Sequence, residues 1–315
     1  MKNKKAVIIS LKGSRLSEKE TSLFKNEKPW GVILFKRNVK NYNQLVNLIK
    51  SIRKISKDKK FPVLIDEEGE TVSRLKKIFN HKFNAKKLGE IFKYDPITTE
   101  NLYKHYINNL TKILKSLGIN VNTVPVLDVL RKGTNKIIGS RSFSQDPKIV
   151  KKLGAICVEQ YKKNKIATVI KHIPGHGCAT VDSHKDMPVV KLNYKNLNSS
   201  DFLPFKLNKS LFAMTAHILY KKIDNKNVAT FSKKIISKVI RKEIGFKGIL
   251  ISDDISMKAL KHDLITNAKK SISAGCNLVL YCGGNYKHSL KLLRTMPIID
   301  KFTVKKTSEF YQFLS

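Results

Sequence analysis

A (β/α)₈ barrel is the fold that this sequence predicts, on three observations. Eight short apolar or β-branched runs recur along its 315 residues, and most have the length of a fully buried parallel strand. Amphipathic helical patterns lie between many of them. Charged and titratable side chains gather just past the carboxyl ends of the runs, the rim on which such barrels build active sites. A doubly wound open sheet is the alternative for alternating strands and helices.

The runs are Ala6–Ile9, Gly31–Phe35, Pro62–Ile65, Val121–Val126, Ala167–Ile170, Phe212–Thr215, Gly248–Ile251 and Asn277–Tyr281. After the second, Asn41 can cap a helix with the stripe Leu45, Leu48, Ile49, Ile52 and Ile55. Before the fourth, Leu102, Tyr106, Ile107, Leu110, Ile113, Leu114 and Leu117 repeat at three and four, and Gly118 ends the helix. Asp146-Pro147, a cap followed by proline at the first helical position, precedes the stripe Ile149, Val150, Leu153 and Ile156. Ser232 starts a helix carrying Ile235, Ile236, Val239, Ile240 and Ile244, closed by Gly245; Ala268, Ile272 and Ala274 precede Gly275. No internal repeat, low-complexity tract or linker interrupts the pattern, so residues 1–315 are expected to form one barrel domain.

Hydrophobic content of 41% supports a packed globule rather than a disordered chain. No apolar run approaches the roughly 20 residues that span a bilayer, and the basic start Met1 to Lys5 is followed by too short an apolar stretch for a secretory signal. Four cysteines without C-x-x-C or zinc spacing fit a reducing compartment. A cytoplasmic location is therefore expected. The net charge of +38 would suit a nucleic-acid binder, but the lysines are spread from end to end on polar helix faces. They read as a solvated surface that attracts anions at long range, weakened by salt. Neither nucleic acid nor membrane is an expected partner, and a monomer is expected.

The densest chemistry lies in Lys171 to His184, which packs three histidines, an aspartate and a lysine just past the fifth run. Around it, Asp66 and Glu68 follow the third run, Asp128 and Arg141 the fourth, His217 the sixth, and Asp253 and Asp254 the seventh. A carboxylate at Asp253, where a hydrophobic strand opens into the rim, is held firmly enough to attack an electrophilic carbon, with Lys171 or Arg141 lowering its pKa. Its neighbour Asp254 is expected to cap the next helix. Asp182-Ser183-His184 places a carboxylate two residues before an imidazole, the pattern of an Asp–His dyad able to donate a proton near neutral pH, or else of an exposed polar loop. A metal reading of His172, His176 and His184 is disfavoured, because Pro174 and Gly175 prevent the helix that would bring two rings to one face. His176 is expected to support the loop by hydrogen bonding, and no metal or cofactor is expected.

These residues carry a resemblance. The segments Gly31–Phe35, Asp66–Gly69, Val124–Asp128, Gly139–Phe143, Lys171–His184, Met214–His217 and Ile251–Met257 resemble, in order and along nearly the whole chain, the glycoside hydrolase family 3 β-N-acetylglucosaminidases of peptidoglycan recycling. The resemblance implies Asp253 as the nucleophile of a covalent glycosyl-enzyme, His184 as acid/base in place of the usual second carboxylate, and Asp182 as its dyad partner. It implies sugar binding by Asp66, Arg74, Arg141, Lys171 and His172, with His217 beside them. The implied substrate is terminal, non-reducing N-acetyl-β-D-glucosamine on muropeptide fragments, hydrolysed without metal or cofactor. The chain departs from the family's D-x-E-G-G-R-V-x-R at Glu70 and Thr71. If Glu70 stood at positive φ it would cost about 1 kcal/mol, and its carboxylate would disfavour anionic substrates locally. A glycoside phosphorylase on the same scaffold, since histidine lets phosphate approach, and a silent basic nucleic-acid-binding barrel are the alternatives.

Overall fold

A computed structural model of the chain describes residues 3–131, 138–178 and 187–315. Eight parallel strands close into a barrel: β1 (Lys5–Ser10), β2 (Pro29–Leu34), β3 (Val63–Ile65), β4 (Val121–Asn122), β5 (Ala167–Ile173), β7 (Phe212–Thr215), β9 (Ile249–Asp254) and β10 (Leu278–Leu280). They follow one another around the ring in chain order, and β10 pairs with β1. Two more strands, β6 (Val189–Val190) and β8 (Leu219–Tyr220), form a small parallel sheet outside the barrel.

Every predicted run contributes a barrel strand, with two shifts. The regular part of the fourth ends at Asn122, after which only Val126 bridges to Lys171. The fifth runs on through Lys171 and His172 to Ile173. The Val124–Pro125, Lys171–His172 and Ile173–Pro174 peptides are cis. The small sheet was not foreseen, because two residues per strand leave no periodicity to detect.

Strand alternation sorts the side chains into two layers. Ala6, Ile8, Trp30, Ile33, Leu64, Val121, Ala167, Val169, Phe212, Met214, Ile249 and Ile251 fill the interior. Their neighbours Val7, Ile9, Val32, Val63, Ile65, Ile170 and Leu250 pack outward against the helices. The helix Lys301–Phe313 closes the amino-terminal end of the barrel. Its fully buried Phe310 meets Phe212 edge-on at 5.2 Å, a burial that contributes about 2–3 kcal/mol. Trp30 lies there too, its indole N–H donating to Thr307 Oγ1 at 2.9 Å.

The helix signals act where the sequence placed them. Asn41 accepts from the Gln44 amide ahead of helix Tyr42–Ile55, and Asp146 from the Lys148 amide ahead of Pro147–Lys163. Gly118 (φ 87°) and Gly275 (φ 118°) end Pro96–Leu117 and Leu264–Ala274 in the left-handed region. Ser232 Oγ accepts from the Ile235 amide at the start of the helix Ile235–Glu243. One stripe is rotated: Leu102 is exposed, and the buried face of Pro96–Leu117 runs through Thr99, Tyr103, Ile107, Leu110, Thr111, Leu114 and Leu117. Among the described residues, no helix is long and apolar enough to cross a membrane.

Candidate active site

The period of two that fills the barrel also builds its mouth. Continuing the inward positions by one step turns Leu64 into Asp66, Val121 into Thr123, Val169 into Lys171 and Ile251 into Asp253. The last inward layer at the carboxyl ends of four strands is therefore polar, above layers that are wholly apolar.

Lys171 stands at the centre of this layer and is almost fully buried. Its ammonium donates to Glu68 Oε1 at 2.6 Å, Thr123 Oγ1 at 2.8 Å and Asp66 Oδ1 at 3.3 Å. Three donors thus meet three acceptors within the protein. Asp66 also takes Arg74 Nη2 at 3.0 Å and the Thr123 hydroxyl. Burial pushes the Asp66 carboxyl up, but Lys171 and Arg74 beside it pull it further down, well below the usual carboxylate range. Glu68 grips Arg141 through two bonds, Nε at 2.6 Å and Nη2 at 2.9 Å. The same opposition, burial against Arg141 and Lys171, leaves Glu68 at about 2. Arg74 lies over the Phe35 ring at 5.1 Å, and its Nε is buried with no partner among the described residues.

His172, next to Lys171, is oriented from below. Its Nδ1 donates to Asp128 Oδ2 at 2.6 Å, while the amides of His172 and His176 donate to Asp128 Oδ1 at 3.1 and 2.7 Å. A carboxylate only accepts, so the ring proton lies on Nδ1, and Nε2 is left for contacts in the mouth. Asp128 is fully buried, yet those charges and donors hold it at about 2 against the upward pull of burial. His176 supports the loop as expected, through its amide. Burial outweighs Asp128 and lowers its ring to about 4.

His217 is buried opposite, with Nε2 on the Asp254 carbonyl at 3.0 Å and Nδ1 on Thr230 Oγ1 at 2.7 Å. The carbonyl can only accept, which places a proton on Nε2, and burial lowers the pKa of the ring. Asp253 faces this group from β9. Burial raises its pKa, but His172, His217, the Asp254 amide and Lys171 lower it by more, so the carboxylate stays ionised.

The structure thus brings together Asp66, Arg74, Arg141, Lys171, His172, His217 and Asp253. Asp182 and His184 lie outside the described residues. Asp254 corrects the expectation set for it. The next helix is capped by Asp263, whereas Asp254 accepts from the Ser256 amide and hydroxyl and from the Cys282 amide, tying β9 to the turn after β10. Strand alternation explains this, since Asp254 faces away from Asp253. Glu70 is not at positive φ; its amide donates to the Phe83 carbonyl and its carboxylate takes Asn84 Nδ2 at 2.5 Å, so the feared strain is absent. Thr71 bonds Ser140 across the rim at 2.8 Å. Sequence reasoning put Glu68 and Asp128 on the rim without a role; an aspartate set in the apolar Val126-Leu127-Asp128-Val129 was a signal of a buried, paired charge. Thr123 and Thr230 gave no signal of their own. Among the described residues, no group of three or more His, Cys, Asp or Glu is arranged to hold a metal ion.

Comparison with known proteins agrees with this geometry. The N-terminal domain of glycosyl hydrolase family 3 matches residues 2–306. The β-hexosaminidase of Bordetella avium is 31% identical over 282 residues, 88% of this chain and 80% of that protein. That of Nitrosospira multiformis is 32% identical over 281 residues, with the same coverage. Among solved structures, NagZ from Neisseria gonorrhoeae in complex with N-trifluoroacetyl-D-glucosamine superposes with a TM-score of 0.88 at 27% identity, over 99% of this chain and 90% of that one. A family 3 β-N-acetylglucosaminidase from Paenibacillus gives 0.89 at 25% identity, over 98% of this chain and 60% of that longer one. With its barrel, its rim and these sequence likenesses in agreement, the chain belongs to glycosyl hydrolase family 3, in the β-hexosaminidase group of that family.

Proposed function

We propose that the protein is a retaining, exo-acting β-N-acetylhexosaminidase that removes terminal non-reducing N-acetyl-β-D-glucosamine, with muropeptide fragments of the GlcNAc-1,6-anhydro-MurNAc type as its substrates in peptidoglycan recycling. The observation that carries this reading is Asp253: a carboxylate on the last inward position of a barrel strand, ionised although buried, facing His172, His217 and Lys171. Such a group has little to do but meet developing positive charge. Asp253 attacks the anomeric carbon as its bond to the aglycone oxygen breaks, and His184, oriented by Asp182, gives that oxygen its proton. Water then attacks the same carbon, returns a proton to His184 and releases Asp253. Asp66 and Arg74 hold the sugar hydroxyls, with His172 Nε2 and the Arg141 side of the rim beside them. Lys171, whose donors are all engaged, keeps Asp66 and Glu68 ionised. No cofactor enters this scheme, residues 1–315 act as one barrel domain, and the enzyme works as a cytoplasmic monomer.

Hydrolysis of an aryl N-acetyl-β-D-glucosaminide tests it. Asp253→Asn is expected to lower kcat by at least about 10³-fold. His184→Ala is expected to slow a poorly activated aglycone far more than a good leaving group, which needs no proton. Equal activity of wild type and Asp253→Asn rejects the assignment.

A further inference from the structure

We infer that Glu67, with His81 behind it, is the positioning residue that sets the distance between the two sugar-contacting side chains Asp66 and Arg74. The inference rests on the roles given to Asp66 and Arg74 above, and it concerns residues to which nothing in that scheme assigns a part.

Between Ile65 and helix Ala85–Phe92 the chain forms turns but neither helix nor strand. A connection of that length must pair its buried backbone groups by other means. Strand parity turns Glu67 away from Asp66, outward with Ile65, into the layer between barrel and helices. There its side chain is wholly buried. Oε2 accepts the amides of Arg74 at 2.7 Å and Leu75 at 2.9 Å, so the carboxylate closes the far end of the loop onto its near end. Oε1 accepts from His81 Nε2 at 2.8 Å, and His81 Nδ1 is held in turn by the Tyr106 hydroxyl at 3.2 Å. The His81 ring stacks on Phe79 at 5.3 Å.

The near end is fixed independently. Asn122 on β4 accepts the Glu67 amide at 3.0 Å and donates to the Glu67 carbonyl at 2.9 Å, and it is braced by the Tyr161 hydroxyl. The Glu67 backbone is therefore part of the barrel, while its side chain carries the Arg74 backbone. The 3.0 Å pair between Arg74 and Asp66 on the opposite side of the loop follows from that arrangement. Removing the carboxylate leaves Asp66 on its strand and lets Arg74 drift. A residue that acts only through ground-state placement of sugar contacts is read in KM rather than kcat.

The experiment compares Glu67→Leu, Glu67→Gln and His81→Phe with wild type, by hydrolysis of an aryl N-acetyl-β-D-glucosaminide and by amide hydrogen exchange over residues 66–75. Glutamine still offers an oxygen to both amides, and His81 can present its other tautomer. Glu67→Gln is therefore expected to stay within about threefold of wild type in KM, and Glu67→Leu to raise KM about tenfold or more with kcat lowered less than about threefold. The Arg74 and Leu75 amides should exchange quickly in Glu67→Leu and slowly in wild type and Glu67→Gln. If Glu67→Leu does not fold, His81→Phe carries the test, with a rise in KM at retained kcat expected. A folded Glu67→Leu or His81→Phe with unchanged KM, or Glu67→Gln as impaired as Glu67→Leu, overturns the inference. A wild type inactive on the glycoside sinks the reading of the site instead, and the exchange rates then decide the role of Glu67 alone: slow exchange at Arg74 and Leu75 in Glu67→Leu overturns it.

Discussion

Buried histidines and carboxylates at the mouth give the protein an acid response in two stages. His176 titrates near 4 in the folded chain against an ordinary 6.5. As pH falls from about 6.5 towards 4 the unfolded chain takes up that proton and the folded one does not, so stability is lost in that window. His217 is shifted in the same direction. Glu68 and Asp128 are held at about 2, against 4.5 and 3.8; their contribution is present above the unfolded values and lost as pH falls from about 4.5 to 2. Denaturant midpoints measured against pH should therefore start to fall below about 6.5, and His176→Gln should flatten the upper part of the curve and leave the lower part. At this scale the sequence was partly legible. Counting by twos from Ile249 places Asp253 inward with Ile251, and the same count separates Asp66 from Glu67. It says nothing about partners: those of Asp128 lie on and just past the next strand, more than 40 residues on, and those of Glu67 sit in a loop whose path has no periodicity to read.

Elements were legible where one signal dominates. Apolar runs located the barrel strands because strands covered on both faces need little else, and caps located helix starts. Among the described residues, the four positions where non-glycine residues stand in the left-handed region, Lys28, Lys57, Lys165 and Leu207, could not be read, because that turn usually announces itself by glycine. Lys57 illustrates the cost. It follows helix Tyr42–Ile55 with φ 51°, and the Asp58 amide closes back onto the Arg53 carbonyl at 3.1 Å, the bond pattern that Gly118 and Gly275 serve elsewhere in the chain. Its side chain is exposed. Lys57→Gly is expected to raise unfolding free energy by about 1 kcal/mol, since it relieves the clash of Cβ with the following carbonyl; a denaturant titration with unchanged slope measures it.

The whole molecule carries 62 basic side chains against 24 acidic ones, while its mouth is rich in carboxylates that are neutralised locally. Long-range attraction and local recognition are thus separate properties. Raising salt from about 0.01 to 0.15 M is expected to lower kcat/KM about tenfold for a carboxylate-bearing fragment and to leave a neutral aryl glycoside nearly unaffected. A similar loss for both substrates would place the salt effect in the mouth.

The small sheet outside the barrel has a consequence for how such an enzyme diversifies. Chain leaving β5 is pinned where the Gly175 carbonyl accepts the Tyr220 hydroxyl, and at Gly177, where a Cβ would stand 1.9 Å from the Val129 carbonyl oxygen. Chain returning at Val189 and Val190 pairs with Leu219 and Tyr220. Departure and arrival are therefore moored to the same two-residue strand. A chimera that carries a relative's segment between Cys178 and Met187 should melt within a few degrees of the parent while its preference among aglycones moves to the donor's.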